Sequence, residues 1–281
     1  MHNTFILLFQ CSDRKGIVAR ISDFILKHNG NIINADQHST DPEGGHFFIR
    51  VEFFIKDISL DKKRLEEEFM SLAKDFDAQW QIHDKCHTLR MGVMVSDLDH
   101  CLAELLYLWR AKELKVDIPF VISSCSGHRG LVEQYRLPFY HIAADKNDRR
   151  EEELLKIIEG TTDFLVLARY MLIFSPDFLV RYKKDIINIH HGFLPFFKGR
   201  RPYRQVFEQG VKVIGATAHF VTAELDEGPI ITQMVEQVSH RDSFSSLVRK
   251  GKNLEKLALA KAIESYLDYR VIKYKNKTII F

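Results

Sequence analysis

Apolar residues bunch at positions 5–9, a run of strand length, and then recur at Ile17, Val18, Ile21, Phe24 and Ile25 with the spacing of one helix face. Asn29-Gly30-Asn31 supplies the stop, because Gly and Asn tolerate the left-handed backbone that ends helices. Residues 31–40 and 46–54 read as paired strands around the turn Asp41-Pro42-Glu43-Gly44-Gly45. Leu65, Phe69 and Leu72 give residues 61–74 an apolar helical face, and 76–82 reads as a closing strand. The predicted order β-α-β-β-α-β is the ferredoxin-like split unit, assigned to residues 1–85.

A polar stretch at 83–87 reads as a linker, and the pattern then changes to strand alternating with helix. Strands are predicted at 89–95, 116–123, 139–142, 164–168 and 185–189, separated by helices at 100–112, 129–136, 149–159 and 176–182. Residues 86–281 are therefore expected to form an α/β, Rossmann-like domain with a mainly parallel sheet. Ligands of such sheets bind beyond the carboxyl ends of the strands. Strands at 211–221 and 229–238, a helix at 243–268 and a hairpin around Lys275-Asn276-Lys277 complete the chain.

Composition changes this picture little. A length of 281 residues fits two domains, and 46% hydrophobic with 28% charged residues argues for folded structure. Forty basic against 38 acidic side chains leave +2, too balanced to suggest a nucleic-acid or anionic-membrane partner. No apolar run approaches the ~20 residues of a membrane span. Asp13, Arg14 and Lys15 follow the first apolar run too closely for a signal peptide. Cys11, Cys86, Cys101 and Cys125 are scattered and read as reduced thiols, so a cytoplasmic protein is expected.

Candidate chemistry concentrates in Ile187-Asn188-Ile189-His190-His191-Gly192-Phe193-Leu194-Pro195. Asn188 and His190 lie two apart on a strand and share a face. Asn offers a non-titrating donor to a carbonyl oxygen under attack, and His exchanges protons near neutrality. The same residues, taken alone, also read as ordinary turn and core positions. Asp226, before Gly228-Pro229, reads either as a turn residue or as a carboxylate that orients a water and favours the cation of His190. His219 by itself reads as a satisfied strand histidine. His191 is expected to point away from His190 unless the strand ends between them.

Taken together, Asn188-x-His190, Phe193-Leu194-Pro195 with Gly199, His219-Phe220-Val221-Thr222 and Leu225-Asp226-x-Gly228-Pro229 resemble the formyltransferases that use 10-formyltetrahydrofolate. The resemblance implies that Asn188, His190 and Asp226 are the catalytic residues. It also implies that Met171, Leu172 and Phe174 line a pterin pocket, with Phe193, Leu194, His219 and Val221 as further substrate contacts. Transferases acting on glycinamide ribonucleotide carry a glycine-rich phosphate loop, a nest of backbone N–H groups at a helix N-terminus. Here that run is Val95-Ser96-Asp97-Leu98-Asp99-His100, with no glycine and two carboxylates that repel phosphate, though either Asp also reads as a helix cap.

His190-His191, His100-Cys101-Leu102, Gly215-Ala216-Thr217-Ala218-His219 and Asn276-Lys277-Thr278 are similar to the formyltetrahydrofolate deformylase family. That family joins an N-terminal ACT domain to a formyltransferase-like domain, and Asp13-x-x-Gly16 with Gly30-Asn31-Ile32 resembles the ACT pattern. Ser124-Cys125, Leu172, Gly192 and Arg204 stand where the family commonly has other residues. The resemblance implies hydrolysis of 10-formyltetrahydrofolate to tetrahydrofolate and formate, which would supply purine biosynthesis and balance the one-carbon pool. No metal or prosthetic group is implied. Either an amino-acid effector binds at Asp13, Gly16 and Asn31, or the segment only mediates oligomerisation through exposed strand edges, and a homo-oligomer is expected. The alternatives are a formyltransferase with a non-phosphate acceptor and a non-catalytic folate-binding sensor. The missing Gly-x-Gly-x-x-Gly speaks against a dinucleotide-binding domain.

Overall fold

The computed structural model describes residues 3–41, 43–56, 62–196 and 202–281. Pro42 of the predicted turn, Asp61 and Gly199 lie outside the described residues. The chain divides into two compact units, one of residues 1–88 with 268–272 and 279–281, the other of residues 89–267 with 273–278.

The first unit contains β1 (Asn3–Ser12), α1 (Ile17–Lys27), β2 (Gly30–Ser39), β3 (His46–Ile55), α2 (Lys62–Asp75) and β4 (Gln79–Asp84). Its sheet is antiparallel in the order β2-β3-β1-β4, the expected βαββαβ arrangement. α1 buries Ile17, Ile21, Phe24 and Ile25, whereas Val18, expected on the same face, is exposed. The Phe69 ring meets Phe9, Phe24 and Trp80 edge-on, the arrangement aromatic quadrupoles favour. The closing strand begins at Gln79 rather than at residue 76. Phe76 instead tucks into the core behind α2, and Asp77 turns the chain at φ 49°. The expected linker at 83–87 gives its first two residues to β4.

The second unit opens with β5 (Met91–Val95), α3 (His100–Arg110), β6 (Val121–Ser123), α4 (Arg129–Glu133) and β7 (Phe139–His141). It continues through α5 (Glu151–Ile158), β8 (Phe164–Leu167), α6 (Pro176–Tyr182), β9 (Ile186–His190), α7 (Pro202–Gln209), β10 (Val213–Phe220) and β11 (Ile230–Gln237). The long α8 (Phe244–Leu267) precedes the predicted hairpin, β12 (Val271–Tyr274) and β13 (Lys277–Ile280). The main sheet has the order β11-β10-β9-β8-β5-β6-β7. The run from β9 to β7 is parallel, while β10 and β11 are added antiparallel.

Two elements differ from expectation. Residues 116–120 keep a period of two, with Val116, Ile118 and Phe120 buried, but they pair only through the isolated bridge between Arg90 and Asp117. α7 lies outside the expected elements: Tyr203, Val206 and Phe207 do keep a helical spacing, but eight mostly polar residues are too short a run to stand out. Among the described residues, no helix is long and apolar enough to cross a membrane.

Candidate active site

β9 ends at the carboxyl edge of the parallel run and delivers Asn188 and His190 to one side of it. Its antiparallel neighbour β10 sets His219 opposite Asn188 and Thr217 opposite His190. The His219 Nδ1–H donates to the Phe220 carbonyl at 2.9 Å, so the neutral ring accepts at Nε2 from the Asn188 amide at 3.2 Å. Burial, reinforced by the nearby His190, holds the His219 pKa below its ordinary value despite the Phe220 carbonyl and Asp226. The amide of Asn188 is thereby oriented, and its second hydrogen has no partner among the described residues.

Asp226 arrives on the loop between β10 and β11. That loop folds back tightly, with the Phe220 N–H donating to the Pro229 carbonyl at 3.0 Å. A Cβ on Gly228 would lie 1.8 Å from the Phe220 carbonyl oxygen, so only glycine permits the turn. Asp226 itself sits at φ 57°, a left-handed conformation that Asp tolerates better than most residues. The result is a contact of 3.3 Å between Asp226 Oδ2 and His190 Nδ1, and one of 3.8 Å between Asp226 Oδ1 and His219 Nε2. Burial opposes ionisation of Asp226, but the hydrogen bond and charge of His190, with His219 and His191 beyond, hold its carboxyl below the usual range. His190 Nε2 is buried and has no hydrogen-bond partner among the described residues.

These three side chains border a cavity of about 150 Å³. Met171, Leu172, Phe174 and Val221 form its apolar wall, and His219 and His191 complete its polar end. An amide donor, an imidazole nitrogen and a carboxylate thus converge beside an apolar slot, an arrangement suited to attack on a carbonyl carbon.

Comparison with known proteins gives this arrangement its lineage. A formyl transferase family model matches residues 89–263, and an ACT domain model matches residues 5–69. A formyltetrahydrofolate deformylase of Bacillus subtilis is 45% identical over 278 residues, covering 98% of this chain and 93% of that protein. One from Synechocystis is 42% identical over 281 residues, with coverage of 99% and 98%. The chain belongs to the formyltetrahydrofolate deformylase family. A crystal structure of a deformylase from Pseudomonas syringae pv. tomato superposes with a TM-score of 0.95 at 43% identity, covering 100% of this chain and 95% of that one. A glycinamide ribonucleotide transformylase from Symbiobacterium toebii covers 71% of this chain and 97% of its own, at 29% identity and a TM-score of 0.65.

Within this deformylase fold, the structure does not bring every expected residue to the cavity. Phe193 packs over Gly215, whose added Cβ would meet its ring at 3.0 Å, and borders a separate small space. Leu194 is buried, its N–H donating to Thr217 Oγ1 and its carbonyl accepting from Gln233 Nε2. Both are drawn away because Thr217, opposite His190, pins the turn that follows β9. In the ACT unit, Asp13 and Gly16 border a surface hollow together with Gln37, His38 and Ser39, and Ser39 donates to Asp13. Asn31 is not there: it pairs with Phe54, at the opposite end of the ten-residue β2 from Ser39. Among the departures from the family pattern, Leu172 lines the cavity, whereas Arg204 is exposed and pairs with Glu208 at 2.9 Å. Ser124 Oγ donates to Ser96 Oγ at 3.0 Å, and the expected cap at Asp99 makes no side-chain cap hydrogen bond.

The strand does end between the two histidines, the exception the sequence left open, and one further cluster was not expected from the sequence. β9 stops at His190, so His191 turns back toward the cavity, with its ring 5.2 Å from His190 and 5.9 Å from Tyr203. Among the described residues, His100, Cys101 and Glu255 bring potential metal-ligating atoms within 4.8 Å of one another. Glu255 Oε2 there already receives His100 Nε2 at 2.8 Å and faces Arg169 Nε at 3.3 Å. Burial, then the charge of Glu255, drives the Cys101 thiol far up. A neutral thiol and a carboxylate already matched by a guanidinium form an ion-pair cluster rather than a cation site. Its members lie 155 positions apart in sequence, and only the adjacency of His100 and Cys101 could have hinted at it.

Proposed function

We propose that this chain hydrolyses 10-formyltetrahydrofolate, releasing tetrahydrofolate and formate. The observation that carries this reading is the 3.3 Å contact of His190 Nδ1 with Asp226 beside an oriented Asn188, at one end of an apolar slot. The pterin end of the folate fits the wall of Met171, Leu172, Phe174 and Val221, leaving its formyl group at the polar end. Water attacks the formyl carbon while Asp226 accepts a proton from it. Asn188 donates to the oxygen as negative charge develops. His190, as the imidazolium, then delivers a proton to N10, the carbon–nitrogen bond breaks and formic acid leaves. It ionises to formate, and of its proton and the one held by Asp226, one restores the imidazolium and the other passes to solvent. These steps use side chains of this chain alone, with no prosthetic group.

Water as the acceptor is favoured by the β5–α3 loop, where Asp97 and Asp99 occupy positions that a phosphate-binding loop would fill with glycines. The formate would enter the one-carbon pool and purine synthesis. The four free cysteines suit the cytoplasm. The ACT unit is read as the seat of an amino-acid effector at Asp13 and Gly16, and the exposed edge strand β2 as a site for pairing copies of the chain.

Incubating the protein with 10-formyltetrahydrofolate and no acceptor, and assaying formate, tests the reading. Catalytic release is expected. Release only after an amine acceptor is supplied would mark a transferase, and stoichiometric folate binding without formate would mark a sensor.

A further inference from the structure

We infer that Glu255 is a positioning residue for the deformylase reaction, a buried carboxylate that ties the imidazole pair to the apolar wall of the cavity. This rests on the roles of Asn188 and His190 proposed above. Glu255 is 1% exposed on the mostly apolar buried face of α8, beside Leu254, Ala258 and Leu259. A carboxylate there is costly unless every partner is in place. It receives hydrogen bonds from His100 Nε2 at 2.8 Å and from the Tyr203 hydroxyl, and it faces Arg169 Nε at 3.3 Å. Burial alone would raise its pKa, but His100, Arg169 and Tyr203 hold it below the usual value, so the group is a carboxylate.

Each partner leads to a different part of the site. Tyr203 leans on α8 where Gly251 leaves room, since a Cβ there would come within 2.2 Å of the ring. The glycine, one turn before Glu255, is what lets the hydroxyl reach the carboxylate. The Tyr203 ring centroid lies 5.9 Å from that of His191, whose ring is in turn 5.2 Å from that of His190. Arg169 is buried at φ 66° where β8 gives way to the apolar wall. Its carbonyl accepts from the Ser96 N–H, and Ser96 Oγ accepts from the Met171 N–H. Among the described residues, Glu255 is the only carboxylate paired with Arg169. One side chain therefore holds two branches, a Tyr203 branch toward His190 and an Arg169 branch toward the slot.

The branches predict a split between kcat and KM, measured on the full-length chain and normalised to folded protein by circular dichroism. Tyr203→Phe removes one hydroxyl and keeps the ring, so kcat should fall about tenfold with KM for 10-formyltetrahydrofolate within about twofold. Arg169→Met should raise KM about tenfold, and Glu255→Gln should do both. Wild-type kcat and KM in folded Tyr203→Phe and Glu255→Gln, even with a lowered Tm, would overturn the proposal by reducing Glu255 to a structural group. If Glu255→Gln does not fold, Tyr203→Phe decides alone. His190→Ala measured alongside separates the two levels. Undiminished formate release there would overturn the catalytic reading itself, whereas lost release with unchanged constants in Tyr203→Phe overturns only the role of Glu255.

Discussion

In the N-terminal unit the buried charged or polar side chains among the described residues are Arg50 and Glu52, and both are fully engaged. Arg50 donates to the carbonyls of Asp268 and Tyr269, each at 3.1 Å, and Glu52 accepts from Lys85 at 2.5 Å. The second unit buries eleven such residues, among them His128, Arg169, His190, His191, His219 and Glu255. It also holds all three buried side-chain nitrogens that lack a hydrogen bond among the described residues, on His100, Arg169 and His190. An unmet buried donor or acceptor is destabilising by about 1–3 kcal/mol, so chains retain one where another group is meant to meet it. The first unit is organised by aromatic packing, whereas the second keeps unmatched polar atoms both at the cavity, on His190, and in the buried cluster around Glu255.

That contrast can be broken experimentally. The largest effect is expected from Asp226→Asn, which leaves His190 without its carboxylate and should lower kcat about a thousandfold. Steady-state formate assays check it, and activity near wild type would remove Asp226 from the proton path. Phe69→Ala empties the middle of the aromatic cluster in the first unit and should cost about 3–5 kcal/mol by denaturant titration, with kcat of the folded fraction unchanged. A kinetic collapse there comparable to Asp226→Asn would erase the division between packing and chemistry. Asn188→Ala removes the proposed oxyanion donor and should slow kcat about a hundredfold with folate affinity nearly intact. A rise in Kd with kcat preserved would make it a binding residue instead.

The smallest effect concerns pH. Burial, with the charge of Lys62 adding to it, depresses His83 from an ordinary 6.5 to about 4. Between those values the unfolded chain binds a proton that the native ring, stacked 3.9 Å from Tyr269, refuses. Its contribution is fully present above about pH 6.5 and declines as pH falls toward 4, on the order of 2 kcal/mol in all. His83→Gln should flatten that slope in pH-dependent denaturation, and an unaltered slope would assign the acid sensitivity elsewhere.

Much was readable from local pattern because period and turn chemistry are local. The spacing of Ile17, Ile21, Phe24 and Ile25 is a helix wherever it occurs, and α6 begins and ends where residues 176–182 predicted it. The two-residue interval that puts Asn188 and His190 on one side needs only a strand. Contiguous motifs also carried the family, since Leu225-Asp226-x-Gly228-Pro229 encodes the glycine its tight loop requires.

Convergence was a different matter. Asp226 reaches His190 only because β10 turns antiparallel to β9 and its following loop doubles back. Asn31 looked like a companion of Asp13 until the length of β2 carried it to the far end. Phe193 and Leu194 follow His190 and His191 closely in sequence, yet Thr217 on the neighbouring strand pulls their turn aside. The Glu255 cluster draws on α3, the end of β8, α7 and α8, and no spacing rule connects them. Backbone preference acts over a few residues and is written in order along the chain. Contacts between side chains depend on strand pairing, loop length and packing, which exist only once the chain has closed on itself.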